Sequence, residues 1–206
     1  MYLPAHFEVT DLEQLHTLMR AHPLATWVTQ IEGQYEINHL PLHLEASRGE
    51  YGTLVGHLAR ANTLWKAPTS PAVLIFQGPQ AYVTPSWYPS KREHGKVVPT
   101  WNYAVVHAFG TPQFIHDKPA LLELVKRLTH HHEASQVQPW AVDDAPHDYI
   151  QAMLGAIVGV EIPIERIEGK FKLSQNRSEA DRHGVREGAQ QGEDQAREMA
   201  QWMPKT

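Results

Sequence analysis

Residues 24 to 58 read "LATWVTQIEGQYEINHLPLHLEASRGEYGTLVGHL". Two runs rich in β-branched and aromatic residues flank Glu32-Gly33-Gln34, and a third follows the turn-like "ASRGE". Runs of this composition joined by short turns predict a three-stranded antiparallel meander. Working outward, "PAVLIFQGPQAYVTP" (71–85) predicts a compact apolar strand, a break at Gly78-Pro79 and a second strand. "PTWNYAVVHAFGTPQFI" (99–115) predicts another long strand, and the alternation of Val158, Val160, Ile162 and Ile164 predicts a late strand able to seal a barrel.

Helical spacing is confined to fewer places. Leu12, Leu15, Leu18 and Met19 predict a short amphipathic helix ending before Pro23. Residues 117–134 open with a capping Asp117 and a first-turn Pro119, and Leu121, Leu122, Val125 and Leu128 share one face. "HDYIQAMLGAI" predicts a shorter helix. From Ser178 the chain turns Gln-, Glu- and Gly-rich, with Ser178 and Asp181 at capping-box spacing. The expected organisation is one domain over residues 1–177, with a crossover helix at about 117–134, and a polar tail over 178–206 that is helical or partly disordered and outside the core. The expected fold class is mainly β with flanking helices, a small antiparallel barrel of about six or seven strands.

Composition narrows the chemistry. With 206 residues and no cysteine, the chain has one sizeable core and neither disulfides, a thiolate nucleophile nor Cys-ligated metal. The net charge of -5 argues against a pervasive field for nucleic acid. The N-terminal residues lack the pattern of a secretory signal and no window approaches a membrane span, so a cytoplasmic location is expected. Walker, G-x-G-x-x-G, G-x-S-x-G and H-E-x-x-H motifs are absent from the sequence.

Three polar clusters remain. "GHLARANTLWK" (56–66) follows a predicted strand and gathers His57, Arg60, Asn62 and Lys66, where guanidinium and backbone N–H donors suit a phosphate as well as a solvated turn. "INHLPLHL" (37–44) places His39 and His43 on one side of a strand, roughly 13 Å apart at the usual rise, too far to share a metal ion. "LTHHHEA" points its histidines around a helix end, where they complement the macrodipole rather than ligate together. No metal site is expected. "KFKLSQNR" (170–177) concentrates donors in a loop after the closing strand and reads either as a solvated edge or as a binding loop.

The segments "INHLPLHL", "GHLARAN", "LIFQGPQAYVTPSWYPSK", "GKVVPTWNYAVVHAFG" and "KLSQNRSEADRHGV" occur in the order and spacing of the PaiB-like proteins, often labelled FMN-binding negative transcriptional regulators, which the chain resembles from about residue 1 to residue 190. That resemblance implies a split β-barrel of the pyridoxamine-phosphate oxidase and flavin reductase type, a homodimer, and FMN at the subunit interface. The label further implies repression of genes for extracellular protease production and sporulation. On the matching positions it implies that His57, Arg60 and Asn62 hold the FMN phosphate, that Asn38, His39 and Leu40 lie beside the flavin ring, and that Lys172, Ser174, Gln175 and Asn176 reach the flavin or the partner subunit. Trp87, Tyr88, Trp101, Asn102 and Tyr103 would wall the dimer interface and flavin cleft. Thr63 departs from the proline usual after "ARAN". No acid–base pair identifies catalytic residues. The functions to be separated are an FMN-binding regulator, an FMN-dependent oxidoreductase or flavin reductase acting on a small molecule, and a direct DNA-binding repressor, which charge and the lack of a helix-turn-helix disfavour. Haem binding is a further alternative, given fourteen histidines.

Overall fold

A two-residue turn sets the register of the first hairpin. In the computed structural model, which describes residues 1–66 and 70–204, Glu32 and Gly33 have φ of 49° and 80°. Positive φ at both positions gives the turn a twist that matches the strands on either side. In chain order the strands are β1 (Glu8–Val9), β2 (Leu24–Ile31), β3 (Gln34–Pro41), β4 (His43–Glu45), β5 (Thr53–Ala59), β6 (Ala72–Val83), β7 (Thr100–Gly110), β8 (Gln113–Ile115), β9 (Ile157–Pro163) and β10 (Arg166–Lys172). The α-helices are α1 (Leu12–Ala21), α2 (Ser90–His94), α3 (Lys118–Glu133), α4 (His147–Gly155), α5 (Glu179–Gln190) and α6 (Asp194–Trp202). The architecture is therefore mixed α/β with antiparallel sheets, and it has more strands than expected because β1, β4 and β8 are only two or three residues long.

The chain divides into two units, and β6, β7 and β10 each have residues in both. The central unit comprises residues 23–75 and 108–167. In it β2 pairs antiparallel with β3 from Leu24↔Pro41 to Ile31↔Gln34, and with the start of β6. The expected three-stranded meander is broken at Leu42, whose N–H donates to the Pro23 carbonyl at 2.9 Å. Its third run, β5, pairs with β4 and β9 in a second sheet ordered β4-β5-β9-β8. Val55, Leu121, Leu124 and Leu154 bring β5, α3 and α4 into one buried cluster. Asp117 caps α3 by accepting from the Ala120 N–H at 3.0 Å. Trp27 is fully buried and stacks on Phe114 with centroids 6.4 Å apart. By contrast β3, at the sheet edge, leaves Tyr35 and Ile37 exposed.

The terminal unit comprises residues 1–22, 76–107 and 168–206. Its strands run β1-β10-β7-β6, with Glu8 opposite Lys170. Strand β6 continues without interruption through Gly78-Pro79, so the expected break is absent. The glycine has a packing reason instead: a Cβ there would lie 2.9 Å from Leu18 Cδ1 on α1. Leu15, Leu18 and Met19 bury the inner face of that helix.

The expectation of a C-terminal tail outside the core is corrected. Its last two residues lie outside the described residues, but the rest contains α5 and α6, and Val185, Ala189, Met199, Ala200 and Met203 are buried. A polar composition concealed apolar residues spaced four apart, Val185 with Ala189 on one face of α5, and Met199 on α6 with Met203 just past its end. Ser178 caps α5 by accepting from the Asp181 N–H at 3.2 Å. The buried Asp181 carboxylate accepts from the Ser90 N–H at 3.1 Å and its hydroxyl at 2.8 Å, anchoring α2 to α5.

Candidate functional site

In the central unit the end of β5 assembles the first group of candidates. The Arg60 N–H donates to the Ala156 carbonyl at 2.8 Å, which ties the strand end to the turn between α4 and β9. The side chain reinforces this tie: Nε donates to the Gly155 carbonyl at 2.8 Å and Nη2 to the Ile157 carbonyl at 2.7 Å. Only the Nη1 edge, 3.5 Å from His116 Nδ1, points away from the backbone. Asn62 is similarly engaged, donating to Asn38 Oδ1 at 2.7 Å and accepting from the Leu64 N–H at 3.0 Å. Two separated segments, "INHL" and "ARAN", thus meet through an amide pair.

The other candidates there are differently placed. His39 is exposed and its Nδ1 lies 3.2 Å from Thr26 Oγ1, while Leu40 is half-buried. His57 is on the exposed side of β5, yet enough protein surrounds its ring that burial lowers its pKa below the usual histidine value. Sequence reasoning missed Trp65 and His116. Trp65 Nε1 donates to the Arg60 carbonyl at 3.0 Å, its ring meets His116 edge-on at 5.1 Å, and Lys66 Nζ sits 5.3 Å from its centroid. An indole five residues after a candidate phosphate-binding arginine is the signal that could have found it. Together Arg60, Lys66 and His116 form a donor-rich corner beside an aromatic face, chemistry suited to a phosphate and an adjoining ring.

In the terminal unit the candidates fall into a buried group and an open one. Lys172 Nζ donates to the Thr100 hydroxyl and to the Trp101 carbonyl, the latter at 2.6 Å. Burial lowers its pKa, and Lys170 and Arg177 push in the same direction. Ser174 holds φ of +67°, unusual for a residue with a side chain, and its Oγ accepts from Asn102 Nδ2 at 2.9 Å. Asn102 Oδ1 is buried without a partner among the described residues. Gln175 spends both ends of its amide on the backbone of Phe171 and Leu173. Asn176 is exposed.

The expected wall residues separate in the same way. Tyr88 and Asn102 are 2% and 1% exposed, so they belong to the core of this unit rather than to a surface a partner could touch. Burial raises the Tyr88 pKa, and Arg177 lies over its ring at 5.1 Å. Tyr103 is half-buried, with Lys170 Nζ 5.6 Å from its centroid. Trp87 and Trp101, with Tyr82, wall a cavity of about 850 Å³ closed on the other side by the start of α6. Helix α5 seats Trp87: a Cβ at Gly188 would lie 2.5 Å from Cδ2 of its indole, and one at Gly184 would strike its carbonyl oxygen. Trp101 Nε1 donates to Gln80 Oε1 at 3.0 Å. Among the described residues no three His, Asp or Glu side chains gather as a metal site, and no helix is long and apolar enough to cross a membrane.

The architecture is mixed α/β, with antiparallel sheets flanked by helices and a donor-rich strand end. The chain belongs to the family described as "Putative FMN-binding domain", which matches residues 1–166. It is 34% identical over 206 residues to "Protease synthase and sporulation protein PAI 2" of Bacillus subtilis (strain 168), covering 98% of this chain and 96% of that protein, as the PaiB-like resemblance requires. Among solved structures, the flavocytochrome Anf3 from Azotobacter vinelandii shares the fold with a TM-score of 0.58 at 15% identity, over 80% of this chain and 69% of that one. The FAD and heme binding protein from Mycobacterium smegmatis does so with a TM-score of 0.56 at 18% identity, over 80% and 73%.

Proposed function

We propose that the protein is an FMN-binding homodimer of the PaiB type, with a split-barrel fold, whose output is negative regulation of transcription exerted indirectly, through flavin or small-molecule sensing. The observation that carries this reading is the donor-rich corner at the end of β5, in a chain of the FMN-binding family. In it Lys66, His116 and the outward Nη1 edge of Arg60, which shares a long contact with His116, would meet the phosphate, and the Asn38–Asn62 pair would fix the adjoining strand. Bound flavin would supply redox or spectroscopic sensitivity, and the protein's own residues supply position and charge. Indirect action agrees with the net charge of -5.

The test is the visible spectrum of the purified protein together with the mass of the released cofactor. A flavin spectrum and the mass of FMN are expected, and a colourless protein that takes up no FMN would defeat the reading. Lys66 is exposed, so Lys66→Ala should weaken FMN retention without disturbing the fold, by the roughly 1.5–3 kcal/mol of a charge-assisted contact. Sedimentation measures the dimer, and a gel-shift titration should find no sequence-selective DNA binding.

A second reading, an FMN-dependent oxidoreductase, draws on the aromatic-walled cavity of the terminal unit, which has room for a small molecule. Anaerobic reduction by NADH or NADPH, followed by an acceptor screen, separates the two readings.

A further inference from the structure

The cavity of the terminal unit has features that a cofactor phosphate does not explain. Three aromatic side chains face it, and two of them, Tyr82 and Trp101, keep about half of their surface exposed at 50% and 48%. Their rings stand 6.1 Å apart at 61°, angled to each other rather than stacked. Each indole is fixed by a different device, Trp87 by the glycine seat on α5 and Trp101 by its bond to Gln80. Glycine is unfavourable in a helix interior, so α5 gives up helix stability to hold Trp87 in place.

The charges of the opposite wall select the ligand. Arg197 is paired with Asp194 and donates to the Gly192 carbonyl at 2.6 Å, so these two side chains largely cancel. Glu193, at the N-cap of α6, caps no backbone N–H with its side chain and has no ion-pair partner among the described residues. The uncompensated charge of the lining is that one carboxylate. An anion entering here would find the positive start of α6, but with Glu193 and Asp194 beside it to offset that helix end. A cation would meet two indoles and a phenol, whose π-faces attract positive charge, together with a carboxylate, the residue set by which aromatic cages hold quaternary ammonium groups.

We propose that this cavity is a binding site for a small organic cation, an alkyl- or quaternary-ammonium compound, held by Tyr82, Trp87 and Trp101 with Glu193 as counter-charge. The site stands on residues of the terminal unit alone and shares none of the corner residues proposed to meet the phosphate.

The test is calorimetric titration of the full chain, as purified, with choline and with its uncharged isostere in which carbon replaces the quaternary nitrogen. Choline should bind saturably and the isostere about tenfold more weakly or worse. Glu193 is exposed, so Glu193→Gln should fold normally, weaken choline by about threefold and leave the isostere unchanged. Trp101→Ala should abolish binding of choline. Absence of saturable choline binding, equal affinity for the two probes, or choline binding undiminished in Glu193→Gln would each overturn the proposal.

Discussion

The corner at the end of β5 and the cavity beside α6 are made of opposite materials, and they hold their shape in opposite ways. At the corner, polar side chains are pinned by direct hydrogen bonds to the backbone: Arg60 to Gly155 and Ile157, Asn62 to Leu64. At the cavity, aromatic rings are placed by shape and by a neighbour, Trp87 on Gly188 and Trp101 through Gln80. Polar groups that look free to bind have largely committed their donors to the fold. The rings, which look like core, keep open faces. A functional site is therefore read better from what a side chain has left uncommitted than from its chemical type.

The sharpest way to break this contrast is Arg60→Ala. If the guanidinium is mainly a clamp, its removal leaves two backbone carbonyls without their charged donor and should destabilise the protein by about 2–4 kcal/mol, measured by urea unfolding. Stability within about 0.5 kcal/mol of the parent would instead return Arg60 to the class of free binding groups. Gly188→Ala tests the other side, and its sign decides the matter. An unhindered helix-interior glycine replaced by alanine gains about 1 kcal/mol, whereas a methyl driven into the Trp87 ring should cost about 1–3 kcal/mol before that gain is subtracted. Net destabilisation, with a shift in tryptophan emission, is expected.

Smaller effects sharpen the contrast further. Ser90→Ala removes one of the two donors to the buried Asp181 and should cost about 1 kcal/mol in the same unfolding assay. The smallest effect concerns Glu161, whose pKa is held below the usual carboxylate value chiefly by its hydrogen bonds from Arg48, at 2.6 Å and 3.0 Å. Because the folded pKa is depressed, this pair stabilises fully above the ordinary carboxylate pKa, and the contribution is lost as pH falls through the folded value. Arg48→Ala should therefore flatten the acid limb of the stability profile, and leave it parallel to the parent if the pair contributes nothing.

Local order was legible in the sequence wherever one element carried its own signal. Asp117, Pro119 and the Leu121 face predicted residues 117–134 as a helix, and α3 spans Lys118–Glu133. The Glu32-Gly33 turn was legible through Gly33, which accepts positive φ at no steric cost; that Glu32 takes positive φ as well was not legible, since its type does not favour it. What failed was any inference that depended on a distant partner. Gly78-Pro79 looked like a break because the pressure that demands a small residue there comes from Leu18, sixty residues upstream in the chain. The tail looked solvated because Val185 and Met199 are sparse, and their burial depends on elements far away in the sequence. At the candidate site, the donor types were legible at His57, Arg60 and Asn62. Their commitments were not, because Arg60 bonds to carbonyls that any sequence at 155 and 157 would present.

The three-part make-up of the terminal unit has a consequence for synthesis. Its first segment is made early, but β1 pairs with β10, whose residues in this unit begin at position 168. On the ribosome, β1 must therefore wait unpaired until position 170 has been translated, while every part of the central unit is already made by residue 167. Closure across so long an intervening chain makes the β1–β10 pairing a late step in completing this unit.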